Sequence, residues 1–216
     1  MIKSIFLFLI ILLIMLGCDN SINKTKSDIL EKHKDGIEKK YYDDGSLRFE
    51  TLWKDGKQEE YARTYYKTGE LQHDMKMKDG FETGIHKTYY KSGKLKFEAP
   101  YKNGKMHGLA KEYYEDGTIK SETFWQNNKS KGEAKKYYKN GQLALTAYWE
   151  ESRSSGVWTY YYDDGKTWFI ATYKDNGRVK GILYDKEGNS KEVRKAYLFN
   201  ELDRIFAFYE KPNKTE

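Results

Sequence analysis

The stretch YYDDGSLRFETLWKDGK, residues 41–57, holds two tyrosines, a glycine turn, an alternating run and a second glycine turn. Within the run, Leu47, Phe49, Thr51 and Trp53 share one side, and Arg48, Glu50 and Leu52 share the other. A period of two marks a half-buried strand. The phrase then returns. Tyrosine pairs stand at Tyr41-Tyr42, Tyr65-Tyr66, Tyr89-Tyr90, Tyr113-Tyr114, Tyr137-Tyr138 and Tyr161-Tyr162, so each step, as from Tyr41 to Tyr65, is 24 residues. A glycine follows every pair at one offset: Gly45, Gly69, Gly93, Gly117, Gly141 and Gly165. Leu or Ile comes two residues later in five copies, and a large side chain closes each copy at Trp53, Met77, Tyr101, Trp125, Trp149 and Tyr173. Self-similarity at such a period signals a repeat architecture.

Each copy supplies two strands. The runs around Leu95, Phe97, Ala99 and Tyr101, and around Leu143, Leu145, Ala147 and Trp149, repeat the alternation, and GLAKEYYEDG (108–117) reads as a second strand ending in a turn. The spacing after Tyr-Tyr predicts a type I turn closed by a left-handed Gly. The second turn repeats that device at Gly56, Gly80 and Gly104; Asn128 tolerates the same conformation in the fourth copy, and Ser152 predicts a changed turn in the fifth. Pro100 donates no ladder hydrogen bond and predicts a local irregularity. Strands lie ~4.8 Å apart, so one repeat advances the sheet by about 10 Å. The expected fold is all-β: an elongated single-sheet β-meander of tandem hairpins, each burying its Leu and Trp only against its neighbours.

These repeats resemble the bacterial variant of the MORN repeat. Gly84, Gly108, Gly132 and Gly156 match that family's leading Gly, and Glu50, Glu98 and Glu122, with Asp74 close, match its acidic position. Glu60, Thr146, Ile170 and Thr167 depart from the pattern, and a weak further copy has Tyr184 and Gly188 one residue early. The resemblance implies a scaffold for protein or membrane contact, and many bacterial members carry an antitoxin or immunity label. Two roles stay open: a protein-interaction scaffold or adaptor at the cell envelope, and an immunity protein that neutralises a toxin.

The ends differ from the repeats. Lys3 precedes the apolar run Ile5–Leu16, which is too short to span a bilayer as a helix and fits a signal peptide at 1–17. Met15-Leu16-Gly17-Cys18 resembles a bacterial lipobox, which implies lipidation of Cys18, a membrane lipid anchor and a place in the cell envelope. Residues 18–35 read as a flexible tether and 36–188 as the repeat domain. Residues 189–210 read as a capping helix, with Asn189 and Glu192 as a capping box and Leu198, Leu202, Ile205, Phe206 and Tyr209 as its apolar stripe; 211–216 form a tail.

Chemistry-bearing patterns are sparse. Cys18 is the only cysteine, so neither an intramolecular disulfide nor a cysteine metal site is expected. His33, His73, His86 and His107 fall at different repeat positions and read as surface residues. Neither a metal nor a cofactor nor a small-molecule substrate is expected, and the reading is non-enzymatic. The chain carries 39 Lys+Arg against 33 Asp+Glu, both signs interspersed, which reads as a solvated surface rather than a nucleic-acid footprint. Glu50, Asp74, Glu98 and Glu122 with Arg48, Lys96 and Lys120 suggest a charge ladder. The candidate surface for an unidentified protein partner is the row of second tyrosines, Tyr42, Tyr66, Tyr90, Tyr114, Tyr138 and Tyr162. Alternation places these on the Glu/Lys face and the first tyrosines on the Leu/Trp face.

Overall fold

Alternating side chains between turn signals produce strands throughout the computed structural model, which describes residues 34–174 and 177–193. The strands are β1 (Gly36–Tyr41), β2 (Leu47–Lys54), β3 (Lys57–Tyr65), β4 (Leu71–Lys78), β5 (Phe81–Tyr89), β6 (Leu95–Lys102), β7 (Lys105–Met106), β8 (Gly108–Tyr113), β9 (Ile119–Gln126), β10 (Lys129–Tyr137), β11 (Leu143–Glu150), β12 (Arg153–Tyr161), β13 (Thr167–Lys174), β14 (Gly177–Tyr184) and β15 (Ser190–Val193). They form one sheet in which chain order is spatial order, with the two-residue β7 paired to β6 beside β8. Every pairing is antiparallel, as tight turns require.

Two turn types alternate. In the first, the Gly45 amide donates to the Tyr42 carbonyl and the Tyr42 amide to the Ser46 carbonyl, both at 2.9 Å, with Gly45 at φ +84°. This is the expected type I turn with a left-handed glycine. The early seventh copy keeps it, with Asp185 and Gly188 in the places of Tyr42 and Gly45. The second turn is not the same device. Asp55 and Gly56 both have positive φ, 51° and 73°, which is a two-residue type I′ turn. The change expected at Ser152 does not occur: Glu151 and Ser152 sit at φ 49° and 65°. The Ser152 hydroxyl compensates by accepting the Ser130 amide at 3.0 Å, while its own amide donates to the Ser130 carbonyl at 2.9 Å. Opposite Pro100, the strand breaks at His107, whose amide donates to the Pro100 carbonyl at 2.8 Å.

One sheet face is lined along its centre mostly by small side chains, with His86 and Trp158 as large members. Thr51 pairs with Ala62, His86 with Ala99, Ala110 with Thr123, Thr123 with Ala134, Ala134 with Ala147, and Trp158 with Ala171. Thr51, Ala99 and Ala171 are completely buried although the sheet is single. The family's leading glycines sit beside that row at positive φ, each opposite a large ring: Gly84 faces Tyr101, Gly132 faces Trp149 and Gly156 faces Tyr173. A buried apolar cluster lies in the later repeats, around Leu145, Tyr160, Trp168, Phe169 and Tyr173.

Ser190–Val193 pairs with β14 as β15, so the helix expected from Asn189 does not begin there. The Asn189 side chain instead donates to Asp185 at 2.9 Å within a turn. The rest of that expected helix (194–210), the tail, the signal peptide and Cys18 lie outside the described residues. Among the described residues no helix is long and apolar enough to cross a membrane.

Candidate interaction surface

The face opposite the alanine row carries three parallel bands. The central band is a charge ladder. Cross-strand partners run Lys39, Glu50, Arg63, Asp74, Lys87, Glu98, Lys111, Glu122 and Lys135, alternating in sign over nine strands. The row then turns neutral through Thr146, Thr159, Ile170 and Ile182. The acids are those read from the sequence; their basic partners are not. Arg63, Lys87 and Lys111 come from the intervening strands. The cations Arg48, Lys96 and Lys120 instead sit over the rings of Tyr42, Tyr90 and Tyr114, at 5.7, 5.5 and 5.9 Å from the centroids. Arg63 Nε meets Asp74 at 3.0 Å, and this bond holds the guanidinium above its ordinary value.

The second band is the row of first tyrosines, and their expected face is overturned. Tyr65 donates to Glu50 at 2.7 Å, Tyr113 to Glu98 at 2.8 Å and Tyr137 to Glu122 at 2.9 Å, all on the ladder face. Burial, and then the adjacent carboxylate, pushes each of these phenols up to about 12. The second tyrosines leave the strand and enter the turn. Each hydroxyl donates to the carbonyl of the next repeat's first tyrosine: Tyr42 to Tyr65, Tyr66 to Tyr89, Tyr90 to Tyr113, Tyr114 to Tyr137, Tyr138 to Tyr161 and Tyr162 to Tyr184, at 2.6 to 3.0 Å. Those half-buried rings staple neighbouring repeats, and their hydroxyls are committed within the chain.

The third band was not singled out from the sequence. Ile37 and Leu52 pair on one strand pair, Ile85 and Pro100 on the next but one, then Leu109 and Phe124, with Tyr148 and Val157 further along. Ile37 is 59% exposed, Ile85 47%, Leu109 43%, Phe124 42%, Tyr148 48% and Val157 56%. Recurrence of apolar residues two positions from most ladder residues was the available signal, with Lys76 and Glu133 as interruptions.

On the alanine face, His73 and His86 come together, contrary to their reading as separate surface residues. His73 Nδ1 lies 3.1 Å from His86 Nε2, and His86 Nδ1 lies 2.7 Å from Glu82 Oε1. Counting outward from the Asp79–Gly80 turn puts both histidines at equal distance, a signal the sequence held. Burial, and then the charge of His86, lowers the His73 pKa. Among the described residues no group of three or more His, Cys, Asp or Glu is placed to hold a metal. A cleft of about 310 Å³ lies at the other end of the sheet, lined by Tyr162, Trp168, Leu183 and Tyr184 with Asp185, Asn189, Ser190 and Lys191.

A single antiparallel meander of tandem hairpins with a banded open face defines a β-repeat protein. The chain belongs to the MORN repeat variant family, whose pattern matches residues 34–55, 82–103, 106–127, 131–151 and 155–175, half of the chain. No curated protein sequence matches it. A solved structure titled "Crystal structure of GtfA/B complex bound to UDP and GlcNAc" is 14% identical over 69% of this chain, which covers 24% of that chain, with a TM-score of 0.19.

Proposed function

We propose that the protein is a non-enzymatic, lipid-anchored scaffold or adaptor that binds another protein at a bacterial cell envelope. MORN repeats are commonly protein- or membrane-interaction modules. The observation that carries the reading is the set of exposed apolar side chains Ile37, Ile85, Leu109 and Phe124 alongside a sign-alternating ladder. Apolar anchors give a partner area to bury, and fixed charges set its register and orientation. The test replaces Leu109 and Phe124 together by Glu. Both are already exposed, so the circular dichroism spectrum stays that of the wild type while capture of the envelope partner falls at least tenfold. Unchanged capture by a folded variant places the contact elsewhere. The anchor rests on the apolar run and on Cys18 at a lipobox-like site. Stable anchoring takes two or more acyl chains, so Cys18→Ser is expected to abolish fatty-acid labelling and membrane fractionation without altering the sheet. The same surface serves an immunity role when the partner is a toxin. Co-expression separates the two, since only an immunity protein rescues growth of toxin-producing cells.

A further inference from the structure

We propose that His73 and His86, with the Thr88 hydroxyl, form a binding site for a borderline divalent cation such as Zn²⁺ on the alanine face, clipping β4 to β5. Three potential donors lie within 3.4 Å of one another. His73 Nδ1 and His86 Nε2 are 3.1 Å apart, Thr88 Oγ1 is 3.1 Å from His73 Nδ1, and Thr88 Oγ1 is 3.4 Å from His86 Nε2. Ligands at 2.0–2.1 Å from a tetrahedral zinc are separated by roughly 3.3 Å, so the triangle has the size the metal needs. Water completes the shell, because the chain offers two imidazoles and a hydroxyl rather than three strong ligands.

The surroundings fit a metal site. Glu82 lies 2.7 Å from the other nitrogen of His86. A carboxylate beside a ligating imidazole orients the ring by accepting from its other nitrogen, and metal binding at Nε2 would draw Glu82 into that role. The contact is short, yet neither Glu82 Oε1 nor His86 Nδ1 makes a well-directed hydrogen bond. The charged groups facing the pair are Glu82 and, beside His73, Lys96. No other repeat offers this arrangement. The places of His73 and His86 are taken by Phe97 and Ala110 in the next copy and by Leu145 and Trp158 in a later one.

The experiment measures zinc affinity of the full-length chain, purified in detergent without a histidine tag, by competition with a chromophoric chelator. Wild type is expected to bind one Zn²⁺, and His73→Gln/His86→Gln to lose that binding. Glu82→Gln, which keeps the side-chain shape, is expected to bind about tenfold more weakly. Binding should weaken as pH falls through the imidazole range. Urea unfolding of each metal-free variant confirms that it is folded, so a loss cannot be assigned to misfolding. No zinc binding by wild type, equal affinity in wild type and the double variant, or an unaltered Glu82→Gln affinity overturns the proposal.

Discussion

Glu60 occupies a leading-glycine position and has φ +63°, close to the +68° of Gly84 and the +66° of Gly156. A left-handed conformation costs a residue with a Cβ roughly 1–2 kcal/mol. Glu60→Gly is therefore expected to raise stability by about 1 kcal/mol, partly offset by the greater freedom of the unfolded chain. The urea midpoint should rise at unchanged slope. Gly93→Ala tests the converse. Gly93 has φ +78° and a Cβ there would meet nothing within 4 Å, so only backbone strain acts, and a loss of about 1 kcal/mol is expected. The raised phenols make a second kind of residue-scale claim. Tyr65, Tyr113 and Tyr137 ionise near 12 rather than at 10.0, so the fold favours their neutral form. Their contribution to stability is whole below pH 10 and is lost as pH rises towards 12. A spectrophotometric titration should show a late class of tyrosines, and Tyr113→Phe should remove one member of it. A single class titrating near 10 would contradict the hydrogen bonds to Glu50, Glu98 and Glu122.

At the scale of strands, the ladder binds neighbours through alternating charge. Lys111 lies between Glu98 and Glu122, and its ammonium is 3.6 Å from Glu122. Lys111→Glu sets three carboxylates on adjacent strands and is expected to cost about 1 kcal/mol at low salt. The deficit should shrink in high salt, because these side chains are only partly buried. A salt-independent deficit would point to packing instead. The acids of this ladder, the turn glycines and the strand alternation were all legible in the sequence, since each repeats in phase within a copy. The bases were not, because a partner across the sheet depends on register, and register is shifted by a bulge in every repeat. One such shift falls between Lys40 and Tyr41, where β2 carries an extra residue at Arg48. Counting straight through it sends the first tyrosines to the wrong face. A second shift, at Gly84, moves the partner of His73 from His86 to Thr88, leaving the two histidines diagonal but in contact. The type I′ geometry at Ser152 was hidden for another reason: the turn's conformation is imposed by its neighbours' hydrogen bonds, which override the residue's own preference.

Across the whole repeat array, equivalent bonds join each copy to the next. The Tyr66 hydroxyl reaches the Tyr89 carbonyl as the Tyr90 hydroxyl reaches Tyr113, and the Gly80 amide reaches the Gln58 carbonyl as the Gly104 amide reaches Glu82. Stability is then close to a sum over copies and their interfaces. Removing one full copy should leave every remaining interface intact. Deletion of residues 109–132 joins Gly108 to Glu133, and both Leu109 and Glu133 follow a leading glycine on the ladder face. This shortened chain is expected to keep a β-sheet spectrum and one cooperative melt at a lower temperature. Deletion of residues 109–120 removes half a copy and joins Gly108 to Ser121. Ser121 then takes the place of Leu109, which turns Thr123 and Trp125 to the ladder face and Glu122 to the alanine face. A one-residue change of phase exchanges the two faces of every strand downstream. The half-copy deletion should therefore fail to fold, seen as loss of the cooperative transition and as aggregation, although it removes fewer residues. Equal stability of the two deletions would mean that the faces are interchangeable, which the buried alanine row and the charge ladder both oppose.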